Sequence, residues 1–324
     1  MAQEPILQVT NTTENLRGLS VPSARVVWSS GTHGAYVRSV DGGKTWNAAQ
    51  VPGADGLDFR DVEAFGANLA YLLSAGPGEQ SRIYKTTDGG RHWAMQFDNH
   101  DPQGFLDCMA FWDRDHGIVL GDPTGGKFTL LETSDGGRHW TMLRNVPSAV
   151  EGEGAFAASG SCITSAGKHD VWFATGGSVA RVFHSSDRGK RWSIAESPLP
   201  HSNPSSGIFS IAFRDATHGV IAGGDYKDPE RGNVNVAFTE DGGNVWRQAR
   251  VTPQAYYSAA AWSRQKPFAL MLVGTLGASL LETPETPNWR KSWSINLNSV
   301  SFDSTGNAWA AGPLGVVMKF PLLP

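Results

Sequence analysis

Carboxylates, arginines and tyrosines are the side chains of this sequence best suited to do chemistry. Asp61, Asp107, Asp122 and Asp225 could furnish a carboxylate pair of the kind that cleaves glycosidic bonds, if two of them face each other across a cleft. Arg17, Arg60, Arg181, Tyr226 and Tyr257 are charged and aromatic residues that could join them in a polar pocket. Other chemistry lacks its residues. No Gly-x-Gly-x-x-Gly follows a strand and opens a helix, so hydride transfer from a bound dinucleotide has no cradle. The nine histidines are scattered, and several recur at equivalent turn positions, which argues for structure. We therefore expect no metal and no cofactor.

The candidate residues matter only if the fold brings them together. Its key is the stretch Ser39-Val40-Asp41-Gly42-Gly43-Lys44-Thr45-Trp46, which returns at 86–93, 133–140, 185–192 and 239–246. Five aspartates (Asp41, Asp88, Asp135, Asp187, Asp241) and five tryptophans (Trp46, Trp93, Trp140, Trp192, Trp246) repeat in step. A period of about 40–50 residues filled with short β segments signals propeller blades. Asp-Gly-Gly suits a hairpin turn, since glycine takes positive φ without a Cβ penalty. The Asp carboxylate can accept backbone N–H groups just ahead, the Ser or Thr two residues earlier can bond to it, and the Trp buries its ring beneath the turn. One carboxylate per turn is too few for a calcium loop.

Each repeat reads as an inner strand, a second strand ending in Gly, a third strand entering the Asp turn, and an outer strand led by Trp. Val62-Glu63-Ala64-Phe65, Cys108-Met109-Ala110-Phe111, Ser210-Ile211-Ala212-Phe213 and Ser299-Val300-Ser301-Phe302 align as inner strands. A sixth repeat has lost its Asp turn, but Leu280 to Glu285 lies over Leu130 to Asp135, with Trp289 or Trp293 as anchor. The seventh ends one strand short, and Ile6 to Thr10 is the segment available to fill it. The expected fold is all-β: a single seven-bladed β-propeller over residues 1–324, with four-stranded antiparallel blades closed by the N-terminal strand. Six blades is the alternative, should the sixth repeat prove too degenerate.

In such a blade the Asp turns lie on one face of the disc. The inner-strand starts, the loops after the second strands and the blade connections lie on the other, at the mouth of the central channel. That topology gathers Arg17, Arg60, Asp61, Asp107 and Tyr257 from the inner strands, and Asp122, Arg181, Asp225 and Tyr226 from the loops. Glu153 and His201 approach from blade connections. The competing reading is a solvated rim whose arginines pair with aspartates of adjacent blades.

The repeats resemble Asp-box (BNR) repeats. The inner-strand pattern and the His-Gly before the second strand look like the photosystem II stability and assembly factor-like propellers, including a bacterial branch labelled oxidoreductase or glycosyl hydrolase-like. Leu57 to Glu63, Ala110 to Asp113 and Ser206 to Asp215 carry this likeness. It implies a sialidase-like fold and, in the photosynthetic members, a scaffold role. The Arg-Ile-Pro signature of sialidases is absent, because Arg82-Ile83-Tyr84 is not it.

The functional expectation is a non-catalytic binding or scaffold propeller that captures a protein or carbohydrate ligand at the channel mouth. The alternative is a glycan-acting hydrolase or lyase. A net charge of −4 without a basic block argues against nucleic acid. No apolar run reaches the roughly 18–20 residues of a membrane span. A monomer is expected. Ala2-Gln3-Glu4-Pro5 reads like the remnant of a cleaved signal peptide, so export is expected. Cys108 and Cys162 are read as buried free thiols, with a disulfide between neighbouring inner strands as the alternative.

Overall fold

The structure, a computed structural model, describes residues 4–231, 235–250, 255–282 and 289–321, and of 290–292 the backbone alone. Seven antiparallel sheets follow one another around a ring, each with four blade strands in radial order. The all-β seven-bladed propeller is thus the observed fold. Inner strands begin at Leu16, Phe59, Leu106, Ile163, Ser206, Ala259 and Ser299. The fifth blade carries an addition: Glu153–Gly154 pairs with Gly176–Gly177, which pairs in turn with the inner strand Ser206–Phe213.

Closure across the termini is as expected. Ile6–Leu7 pairs antiparallel with Val317–Phe320, with Ile6 opposite Lys319 and Leu7 opposite Met318. Gln8 N–H donates to the Val317 carbonyl at 2.9 Å, and the buried Thr10 hydroxyl donates to the Gly315 carbonyl at 2.6 Å. The seventh blade thereby gains its outer strand and loses an open edge. In the sixth, Trp289–Trp293 supplies the outer strand, and Trp293 meets Phe320 of the seventh edge-on. The segment 283–285 falls outside the described residues.

The Asp turns repeat almost atom for atom. Ser39 Oγ donates to Asp41 Oδ1 at 2.9 Å, Gly43 N–H donates to Ser39 Oγ at 2.9 Å, and Thr45 N–H donates to Asp41 Oδ1 at 3.0 Å. The same bonds recur around Asp88, Asp135, Asp187 and Asp241. The preceding blade donates a hydrogen bond to three of the five turns. Tyr36 donates its hydroxyl to the Gly90 carbonyl at 2.7 Å, Tyr71 to Gly136 at 2.8 Å, and Trp172 its indole N–H to Gly242 at 2.8 Å. A Cβ on Gly90, whose φ is +87°, would stand 2.6 Å from the Tyr36 hydroxyl. The turn is therefore a blade-to-blade joint as well as a hairpin.

One expectation is corrected. Cys108 and Cys162 are not free thiols: they form a disulfide, with Cα atoms 6.0 Å apart. The ring sets neighbouring inner strands side by side, so residues 54 apart in sequence come within bonding reach.

Candidate functional site: the channel mouth

A β-bulge delivers the central residues of the site. In four inner strands the pairing with the second strand slips by one, between Leu16 and Gly18, Phe59 and Asp61, Leu106 and Cys108, and Ile208 and Ser210. The residues skipped are Arg17, Arg60, Asp107 and Phe209. A bulge leaves one residue out of the ladder and re-aims its side chain. All four line a cavity of about 510 Å³ at the mouth of the channel. Ser258 and Asn298 hold the equivalent position in the sixth and seventh blades. Leu16, Tyr257 and Leu297, the residues just before, each donate N–H to a glycine carbonyl closing the previous blade's second strand (Gly312, Gly223 and Gly274). The fourth blade sends in the segment 155–158. Every blade thus contributes to one cup.

Its walls are aromatic on one side. Phe209 lies flat against Phe156, with ring centroids 3.9 Å apart and planes 9° apart. It meets Tyr256 edge-on at 4.8 Å and Tyr226 at 6.1 Å. The other side is charged. Arg60 donates from Nε to Asp58 Oδ2 at 2.8 Å and from Nη1 to the Ala157 carbonyl at 3.1 Å. Asp122 accepts the Ala155 N–H at 3.0 Å. Burial pushes the Asp107 carboxyl well above its usual range; Asp122 adds to the shift and Arg60 opposes it. Asp122 is raised by burial, against the pull of the Ala155 N–H. A second cavity of about 720 Å³ adjoins the cup and shares Asp122, Ala155, Phe156 and Pro204 with it.

Of the residues singled out in the sequence, Arg17, Arg60, Asp107, Asp122 and Tyr226 line the cup. Four do not. Tyr257 is 1% exposed, packs inside the fifth and sixth blades, and hydrogen-bonds Ser279 at 3.1 Å. It sits one position before the mouth residue Ser258, and one position in a strand is the difference between faces. Asp61 lies one position beyond Arg60, buried between blades, where Oδ2 accepts the Met109 N–H at 2.7 Å. Burial and nearby Glu63 raise its pKa. Arg181 is spent on Glu153, whose other contacts are the Thr175 hydroxyl and the Val150 N–H. Asp225 accepts from Asn203 Nδ2 at 3.1 Å and from the Lys227 N–H at 2.9 Å. Arg181 and Asp225 are thus engaged by neighbours other than an Arg–Asp pair, and the one such pair at the cup is Arg60 with Asp58 among the described residues. Sequence reasoning missed Phe156, Phe209, Tyr256 and Asn298. The signal that could have found Phe209 and Asn298 is the residue after the first large apolar side chain of each inner strand.

No family model matches the chain, and no curated protein matches it. Solved structures do. U3-55K covers 98% of this chain and 98% of its own at 15% identity, with a TM-score of 0.71. Streptogramin B lyase covers 98% of each at 13% identity, TM-score 0.69. The WD40 β-propeller domain of Doa1 covers 99% of this chain and 96% of its own at 12% identity, TM-score 0.67. At such identities the likeness shows the fold alone. YCF48 from Cyanidioschyzon merolae also matches, covering 98% of this chain and 99% of its own at 14% identity. Its TM-score is 0.47, a superposition too loose to speak about ligands. A lyase and WD40 domains on one architecture illustrate that a propeller ring does not dictate chemistry.

Proposed function

We propose that this chain is a non-catalytic binding or scaffold propeller that captures a protein or carbohydrate partner at the channel mouth. The observation that carries the reading is the cup to which every blade contributes, four of them through a residue turned out of its ladder by a bulge. Mouth residues on a rigid ring are preorganised, which limits the ordering cost of binding. The engagement of Arg181 and Asp225 in the protein's own bonds favours a fixed receptor surface. The disulfide favours an oxidising compartment, in keeping with export.

A second reading has one observation behind it. Asp107 and Asp122 sit in the same cup, both with raised pKa, and a proton-donating carboxyl is what a glycan-acting hydrolase or lyase needs. Peptide and glycan arrays, probed with the parent protein and with Arg60→Ala and Asp107→Ala, test the first reading. Ligands that lose binding in both variants support it. Binding indifferent to both substitutions would place recognition elsewhere. Product formation on the array-selected glycan, abolished by Asp107→Asn, would favour the enzyme.

A further inference from the structure

Two polar atoms of the cup lining have no hydrogen-bonding partner within the protein. Arg17 Nε and Asp107 Oδ2 are both shut off from solvent, and neither meets a hydrogen-bonding atom among the described residues. A buried guanidinium N–H without an acceptor costs free energy that the fold would avoid by substituting an apolar side chain. Arg60 has its acceptors in Asp58 and Ala157, so its presence does not explain Arg17. The charged and titratable groups acting on Arg17 are Arg60, Asp58 and Tyr256, and none supplies the missing bond. Opposite stands the ring cluster centred on Phe209.

We propose that the cup takes a small organic acid, with its carboxylate on Arg17 and its apolar body against the rings of Phe156, Phe209 and Tyr256. This rests on the mouth being the binding site. A guanidinium offers its donors in a planar fork that matches the two oxygens of a carboxylate. Burial and Asp122 shift the nearby Asp107 carboxyl towards its protonated form, which lowers the negative charge that the anion would meet. A phosphate suits the site less. It brings up to two negative charges to a cup with one unengaged guanidinium and two carboxyl groups. The volume of about 510 Å³ is that of a small-molecule site.

Isothermal titration calorimetry on the full chain tests this, with benzoate as probe, acetate as the carboxylate lacking a body, glucuronate as a sugar acid, and inorganic phosphate. One-site binding of benzoate is expected, at least tenfold tighter than acetate, with no heat from phosphate. Arg17→Met should weaken benzoate tenfold or more, the loss of a charge-assisted bond. Arg17→Met should also melt no lower than the parent, because the charge it removes lacks a partner in the free protein. Tighter binding of glucuronate than benzoate would keep the Arg17 anchor and make a sugar acid its source. Binding unaffected by Arg17→Met overturns the proposal, as does a parent that binds no carboxylate at millimolar concentration. If no carboxylate binds while array ligands still require Arg60 and Asp107, the acid proposal fails and the mouth reading stands. Array ligands indifferent to those substitutions would remove the mouth reading instead.

Discussion

At the residue scale, the site is made by a one-residue slip. Arg17, Arg60, Asp107 and Phe209 reach the mouth because each is skipped by the ladder. Residue type and position in the repeat were enough to find the first three. The bulge itself leaves no mark in composition, and so Tyr257 was taken for its neighbour's position. The aromatic wall was hidden for another reason: Phe156 and Tyr256 come from connecting segments with no period. Asp107 gives a test of the site's electrostatics. Its folded pKa lies above the unfolded value, so the folded state loses stability as pH rises from about 3.8 towards the folded pKa. Asp107→Asn should therefore match the parent's thermal midpoint near pH 4 and exceed it at pH 7; a variant that melts lower at pH 7 would contradict the assigned burial. Gly90 tests the turn. Gly90→Ala would place a Cβ at positive φ against the Tyr36 hydroxyl, and should cost about 1–3 kcal/mol by denaturant titration.

At the scale of elements, the Asp turns were legible because each depends on local sequence, and the terminal strand because the last repeat is one strand short. Ser39, Asp41, Gly42, Gly43 and Trp46 all act within one hairpin. The interlock with the next blade was not legible: that Tyr36 bonds Gly90 depends on blades lying side by side. The disulfide was misread for the same reason. Deleting residues 1–12 exposes the edge of Val317–Phe320 and removes the Thr10 bond, so the truncated protein should melt clearly lower or aggregate. Equal melting and an unchanged solution size would contradict the closure. Reducing the Cys108–Cys162 bond releases a long loop of chain in the unfolded state. Cys108→Ser with Cys162→Ser should therefore cost about 2–4 kcal/mol of stability, read from denaturant midpoints at constant slope.

At the scale of the whole molecule, the acids of the Asp turns and those of the cup are held in opposite ways. On the Asp-turn face, Asp41, Asp135 and Asp187 are held down to about 2, first by their bonds to Thr45, His139 and Arg191. Groups with a lowered folded pKa stabilise the fold above about 3.8, and that support is lost as pH falls through about 2. The protein should thus lose stability gradually as pH falls from about 4 towards 2, with a small share from each exposed turn, followed by tryptophan fluorescence. On the opposite face Asp107 and Asp122 run the other way, raised by burial in the cup, whereas Asp225 at the rim is lowered by its hydrogen bonds against the effect of burial. That contrast is what the period alone could not tell: it set the number of blades and the faces, but not which acids are buried. Amide hydrogen exchange with and without the tightest array ligand tests the central claim most directly. Binding at the mouth predicts slowed exchange at 15–18, 58–61, 105–108, 155–158 and 207–210, with the Asp turns unchanged. Protection confined to the Asp-turn face would contradict it.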